Sequence, residues 1–424
     1  MPRGSLYSEL IYGNPAAGPS DAGFAGAPPQ VFAVQLQVQR LTIESAGATG
    51  NLKEVGRGLD LLVGTAQPDF SGLLTTLDGL PSLTDVRGVL TQLNPAAYAE
   101  LFRLSLLRLE DVQKPISDRL TIVGAASVSG GVREVLAAAA GGGGEWSAWT
   151  NAFGSSSSLE ADASRGFGGY SRSEAGDVTG LERRFGRLTI GLIGAKGGGS
   201  AQLRSPAAAV SSDTWHLGGY VSLPIADRIF ADASAFFGEA LNTIKRTQNL
   251  PGGTVSSRSS VYGNEWMLQT GLGMQMASQT SSWSLVPTIR VAYAGSRQGG
   301  ARETGAGAFD IRTDSRTSGT VLLKSGIEGA KEWRIAGIPL RMSGNLEWLH
   351  DFDADPRRLG VRWEGALSAP WTLSGAPGRV DMFKLGMSFD VGLSNTATVR
   401  VYGEHEFLKK GPATYFGICY SIGF

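Results

Sequence analysis

The last nine residues, Phe416-Gly-Ile-Cys-Tyr-Ser-Ile-Gly-Phe424, set Phe416, Ile418, Tyr420, Ile422 and Phe424 on one face of a strand with smaller residues on the other. In water such a strand is an open apolar edge that invites pairing with other chains. In a membrane the difficulty disappears, because a last strand that pairs with the first leaves no edge and satisfies every backbone group. The simplest fold for this ending is a closed sheet whose outer face meets lipid.

Composition agrees. Glycine makes up 60 of 424 residues, about twice the usual ~7%. Charged residues are 18%, with 38 bases against 38 acids, so charge offers no argument for nucleic acid as a partner. No run approaches the ~18 apolar residues of a membrane helix, which excludes an ordinary helical membrane protein. A membrane barrel hides its apolarity from averages because every second residue faces the lumen. The lone Cys419 excludes an internal disulfide and, by strand parity, reads as an inert thiol on the small-residue face. The length allows two or three domains. The start, Met1-Pro-Arg-Gly-Ser-Leu6, shows no apolar secretory core, so an outer-membrane protein of this sequence is expected to be a fragment or to have lost its signal.

The chain changes texture along its length. Residues 1–50 are rich in Gly, Pro and Ala, with one alternating run from Val31 to Ile43 that predicts a strand. Residues 51–122 read as helical. Asn51 is placed to cap a helix carrying Val55, Leu59, Leu62 and Val63. Asn94-Pro95 then opens a second helix to about Leu120, whose polar face carries Arg103, Arg108, Glu110, Asp111, Lys114 and Arg119, with a kink expected at Pro115. Residues 123–145, with four consecutive glycines, read as a flexible connector. From Trp146 to Phe424 about a dozen strand-like runs follow, separated by Gly, Asp, Ser and Arg loops.

The second face of these runs is polar. Leu340 to Trp348 alternates apolar residues with Arg341, Ser343, Asn345 and Glu347; Phe383 to Val391 does so with Lys384 and Asp390, and Val399 to Phe407 with Arg400 and Glu404. Trp283 to Tyr293 sets Arg290 on its polar side. Alternation alone does not separate a membrane barrel from a soluble sandwich. Trp146, Trp149, Trp215, Trp266, Trp283 and Trp348 near strand ends fit interfacial girdles, and short connections such as 225–228 alternate with long ones such as 296–317.

With these features in place, the chain resembles the C-terminal translocator of autotransporters, the type V secretion proteins of Gram-negative bacteria. Leu73 to Leu101, with its Leu90-Thr-Gln-Leu-Asn-Pro-Ala-Ala-Tyr-Ala phrase, resembles the helical junction of that family. Trp146 to Gly154, Thr214 to Tyr220 and Tyr420 to Phe424 resemble its first, middle and last strands. The resemblance implies an all-β fold: a twelve-stranded antiparallel transmembrane β-barrel with an N-terminal helical junction and a lumen helix. It implies an outer-membrane unit that exports and anchors an N-terminal passenger at the cell surface, assembled by periplasmic chaperones and the barrel-assembly machinery. Under it, residues 146–424 are the barrel, the 95–120 helix is the plug with lumen-helix charges Arg103, Arg108, Glu110 and Asp111, and the lumen is lined by Arg290, Arg341, Glu347, Lys384, Asp390, Arg400 and Glu404. Phe416, Ile418, Tyr420, Ile422 and Phe424 form the barrel-terminal assembly signal. A monomer is expected. Two departures stand out: only about 50 residues, resembling the last rungs of a passenger β-helix, precede the junction, and no Asn-Asn cleavage phrase is present. A porin-like channel, or a surface adhesin acting through its outer loops, are the alternatives.

Catalytic chemistry is not expected. The histidines are His216, His350 and His405; no Gly-x-Ser-x-Gly elbow occurs, and Ser155 to Ser158 reads as a loop. Three scattered histidines and one cysteine make no zinc site. Asp351-Phe-Asp-Ala-Asp355 lacks the turn glycine and distal glutamate of a calcium loop, and Gly194 to Ser200 lacks the order of a phosphate loop. No cofactor is expected.

Overall fold

The computed structural model describes residues 10–12, 36–38, 41–47, 49–63, 68–128, 134–141, 144–162, 166–204, 206–277, 282–378, 380–407 and 411–424. Twelve strands form the barrel: β1 Trp146–Leu159, β2 Tyr170–Phe185, β3 Leu188–Leu203, β4 Ala208–Pro224, β5 Ile229–Leu250, β6 Gly253–Met274, β7 Trp283–Gln298, β8 Arg316–Ile335, β9 Ile338–Asp351, β10 Asp381–Gly392, β11 Ala397–Phe407 and β12 Ala413–Gly423. Each pairs antiparallel with the next, and β12 pairs with β1. The closure is stitched at the chain end, where the Phe424 N–H donates to the Trp146 carbonyl at 2.8 Å and the Trp146 N–H returns the bond at 3.2 Å. No free edge is left on the sheet.

Strand alternation sorts the side chains as the period-two pattern requires. Along β10, Phe383, Leu385, Met387 and Phe389 are 52, 51, 48 and 51% exposed, while the intervening Lys384 and Asp390 are 8 and 1% exposed. Large apolar groups on the outside and charges on the inside invert a soluble core and match a lipid-facing wall. Phe416, Ile418, Tyr420 and Phe424 lie on that outer wall, and Ile422 shares their face. The tryptophan belt is partly different from expectation. Trp146, Trp215 and Trp283 are exposed outside, but Trp149 points inward, where its indole N–H donates to the Tyr220 hydroxyl at 2.8 Å. The seat for that ring is Gly180, where an added Cβ would lie 2.2 Å from the indole nitrogen. Ser155 to Ser158, expected as a loop, belong to β1.

The two ends differ. At one, tight turns join β2 to β3, β4 to β5, β8 to β9 and β10 to β11, and both termini of the barrel meet. The β8–β9 turn places Ala336 at φ 52° and Gly337 at φ 83°, the two positive angles a hairpin of this twist needs. The other end carries the long loops. Strands Ile311–Thr313, Arg358–Trp363 and Ala366–Ser374 form a three-stranded sheet there.

Six helices precede the barrel among the described residues: α1 Ile43–Gly47, α2 Gly50–Asp60, α3 Pro68–Gly79, α4 Leu83–Leu93, α5 Ala96–Val128 and α6 Glu134–Ala139. Helices α1 to α4 cap the loop end. Their Ile43, Leu59, Phe70, Leu77 and Leu90 share one core with Trp363 and Trp371 of the loop sheet and with Tyr170 and Ile244 of the barrel wall. Asn51 does not cap its helix; Thr49 holds that position. The Asn51 amide instead clasps the loop-sheet backbone, donating to the Ser374 carbonyl and accepting from its N–H, both at 2.8 Å.

The region 31–43 is only partly visible. Leu36–Val38 pairs with Leu10–Tyr12, but Ile43 opens α1, its N–H bonded to the Asp60 carboxylate at 2.9 Å; residues 31–35 and 39–40 lie outside the described residues. A second correction concerns 123–145. The described part is not a flexible connector: α5 continues to Val128 and α6 packs on the inner ends of β9 to β12. Small residues there serve close approach, since a Cβ on Gly124 would fall 2.3 Å from the Phe230 ring.

Candidate functional site

Helix α5 fills the barrel lumen. Thirty-three residues rise about 1.5 Å each, enough to cross the membrane. Its N-terminal turn sits at the loop end, where the Tyr98 hydroxyl donates to Glu303 at 2.8 Å; at the other end Arg119 reaches Glu182 and Ser147 beside the start of β1. The sequence reads as amphipathic, yet both faces are buried, because the polar lumen wall meets the charged residues and an aromatic patch meets the rest. Leu109, Val112, Ile116 and Leu120 pack on Trp149, Phe153, Tyr220, Phe236 and Tyr402. The helix runs through Pro115 as one element. That proline has no N–H for the Asp111 carbonyl, and the Tyr415 hydroxyl of the wall donates to it instead at 3.2 Å.

Charges are matched level by level. Near the loop end Arg103 donates to the Tyr170 hydroxyl at 3.1 Å and to the Pro377 carbonyl at 2.6 Å. Below it Arg108 forms a two-pronged pair with Glu265 at 2.5 and 3.1 Å, and His216 sits 3.4 Å from the same carboxylate. Asp111 accepts from Arg172 and Ser155, both at 2.7 Å, and Glu110 faces Lys384 at 3.5 Å. Lys114 lies 3.2 Å from Glu404, and Arg290 bridges Asp232 at 2.8 Å and Thr121 at 3.0 Å. The wall pairs within itself too: Arg400 donates to Asp390 at 2.6 Å, and Arg341 bonds Asp390 and Glu328. Every polar residue expected in the lumen, including Glu347, faces inward.

Sequence reading did not find Glu265, Arg172, Glu182 or the Arg246–Glu303 pair, at 2.6 Å, that holds Tyr98. Glu265 shares a face with Gln269, so its inward position was legible, but its partner lies 157 residues away. His350 bonds Asp381 at 2.9 Å and His405 lies near Thr414; among the described residues no cluster of ligating side chains has metal geometry. Asp353 of the former calcium-loop candidate pairs with Arg357 at 2.6 Å.

Aromatic contacts help latch the cap to the mouth, among them Phe70 of α3, whose ring centroid lies 6.1 Å from that of Trp363. A Cβ on Gly58 of α2 would lie 2.7 Å from the Trp371 indole, and Trp371 leans on Trp363 with centroids 5.5 Å apart. Trp371→Ala leaves a large void, so cap stability is expected to fall by about 3–5 kcal/mol. Limited proteolysis of the 41–93 region in folded barrels checks this; unchanged protection would refute it.

Fold and lumen together define an outer-membrane β-barrel whose pore is filled by its own helix. The family model described as Autotransporter beta-domain matches residues 148–404, and the chain belongs to that family; its barrel is a translocator unit. Among solved structures it is similar to the translocator domain of autotransporter NalP from Neisseria meningitidis, at 16% identity and TM-score 0.52, covering 66% of this chain and 89% of that one. It is also similar to the transport unit of the autotransporter AIDA-I from Escherichia coli, at 14% identity and TM-score 0.51, covering 66% and 90%. At these identities the likeness concerns the fold. No curated protein matches the chain.

Proposed function

We propose that this barrel exports the segment preceding α1 and then anchors it at the cell surface, with α5 remaining as the plug. The observation that supports this is the polarity of α5: it enters the lumen from the loop end and leads to β1 at the turn end, and the described helices α1 to α4 that precede it lie on the loop side. Short turns and chain ends on the periplasmic side with long loops outside are the ordinary orientation of such barrels. Transport then proceeds by a hairpin passing through the nascent or partly open barrel, and folding outside biases movement outward, since the sequence offers no nucleotide-binding loop. Residues 1–50 are the end of a passenger or its remnant. Chaperones and the barrel-assembly machinery are the partners in insertion, reading Phe416, Ile418, Tyr420, Ile422 and Phe424 on the outer wall. The unit itself performs no catalysis and works as a monomer.

The test places a secretion signal and a folded reporter ahead of residue 41 and treats intact cells with protease. Reporter cleavage together with a heat-dependent mobility shift of the barrel is expected; a periplasmic reporter beside a correctly folded barrel refutes export. Exchange of Phe416 and Phe424 for Ser removes two large side chains from the lipid face, each contributing about 2 kcal/mol. Folded barrel in the outer membrane is expected to fall at least tenfold, read from the heat-shifted band.

A further inference from the structure

Strands β5 and β6 outrun the membrane. Each has 22 residues, about 70 Å of chain at ~3.3 Å per residue, against an apolar band of about 25 Å. Their outward face is mostly apolar from the turn end up to the cross-strand pair of Leu241 and Tyr262, broken by Glu239 opposite Asn264. Above that rim the face changes character. It carries Thr243, Lys245 and Thr247 on β5 and Ser260, Arg258 and Ser256 on β6, hydroxyls and cations without a carboxylate. Lys245 and Arg258 stand directly opposite each other, both exposed, and among the described residues neither has an ion pair. Like charges in that position repel and weaken the ladder, so an anion held between them relieves the wall. Arg297 of β7, opposite Asn264, adds a third cation at the rim. Arg302 and Asp381, by contrast, are met within the chain: Arg302 donates to Glu364 at 2.5 Å, and the Trp348 indole and His350 both bond Asp381 at 2.9 Å.

We infer that this face of β5 and β6 binds the phosphate of a glycolipid whose headgroup lies on the loop side of the membrane. Lys245 and Arg258 hold the phosphate, the hydroxyls around them meet sugar hydroxyls, and Tyr262 marks the level where the acyl chains begin. Position favours a lipid over a protein partner, because the patch continues the lipid-facing wall and headgroups reach it directly. Height favours a glycolipid over a phospholipid. A phospholipid headgroup sits at the aromatic level, whereas Arg258 lies four residues beyond Tyr262, about 10 Å higher on a strand tilted by ~40°, a step that sugar rings span. The leaflet rests on the outward orientation of the loop end proposed above; the binding rests on the wall alone.

The test titrates the full chain, folded in uncharged detergent micelles and checked by heat-dependent mobility, into fluorescently labelled lipopolysaccharide with a phosphorylated core, read as anisotropy. Saturable binding is expected, displaced by the same unlabelled glycolipid but not by its dephosphorylated form or by phosphatidylglycerol. Lys245→Gln with Arg258→Gln is expected to weaken binding by about tenfold or more, the effect of removing two basic residues from an anionic surface. Arg302→Gln, whose charge is already paired, is expected to leave it unchanged. All four side chains are exposed or paired outside the lumen, so the mobility shift is retained in each variant. Equal binding by the double variant, or equal displacement by phosphatidylglycerol, overturns the inference. In cells, a photo-cross-linking residue at Thr247 is expected to capture the glycolipid, and capture of a protein in its place overturns the ligand class. Binding in micelles needs neither orientation nor export, so it is read independently of the export test.

Discussion

Arg108→Met is expected to open the pore while leaving the wall of the barrel folded. Arg108 and Glu265 are 2 and 0% exposed, and the side-chain hydroxyl of Ser105 and the ring of His216 complete their surroundings. Taking two charges out of water is expensive, and their attraction only repays that cost, so such a pair adds little over apolar replacements. Removing one partner is different, because the remaining carboxylate is stranded: the usual penalty is about 3–5 kcal/mol. The barrel strands are held by their own ladder, so the strain is relieved by the helix leaving its seat and letting water reach Glu265. Large conductance steps in Arg108→Met, with an unchanged mobility shift, are the expected result. Arg108→Met with Glu265→Met is expected to close the pore again. A single variant as quiet as the parent would show that this pair does not hold the plug.

Gly423→Val is expected to damage the closure of the barrel. A Cβ at 423 would sit 1.9 Å from the carbonyl oxygen of Gly141 and 2.5 Å from its carbon, so the obstacle is backbone and no rotamer relieves it. The segment after α6 must shift, taking with it the Ala139 carbonyl to which Arg119 and Ser421 donate. Overpacking of this kind costs about 1–3 kcal/mol, occasionally more, and here it falls on the seam where β12 meets β1. The midpoint temperature of the heat-shifted band is expected to drop by several degrees, roughly the response of a ~2 kcal/mol loss. Gly252→Val is the control, as nothing lies within 4 Å of its Cβ. Equal behaviour of the two variants would refute the close approach.

The corrections share a cause. Asn51 reads as a cap because it precedes an apolar period, but its amide is claimed by Ser374, which no local pattern reveals. Trp149 reads as an interfacial ring because it stands near a strand end; parity from Phe153, also inward, was the signal that placed it inside. The glycines and alanines of 123–145 read as freedom, whereas the described ones allow backbone and ring to approach, as Gly124 does at Phe230.

A series of about a dozen strands, their apolar and polar faces and the presence of a charged helix were legible in the residues themselves, while the count of twelve was what the family resemblance implied. The reason is that a strand assigns faces with a period of two and a helix with a period of 3.6, both local rules. Only the tertiary structure decided the partner of each charge, the cap over the mouth and the fit of α6 at the turn end. Those depend on register around a closed ring, which brings Arg108 to Glu265 and Asn51 to Ser374 across 157 and 323 residues of chain.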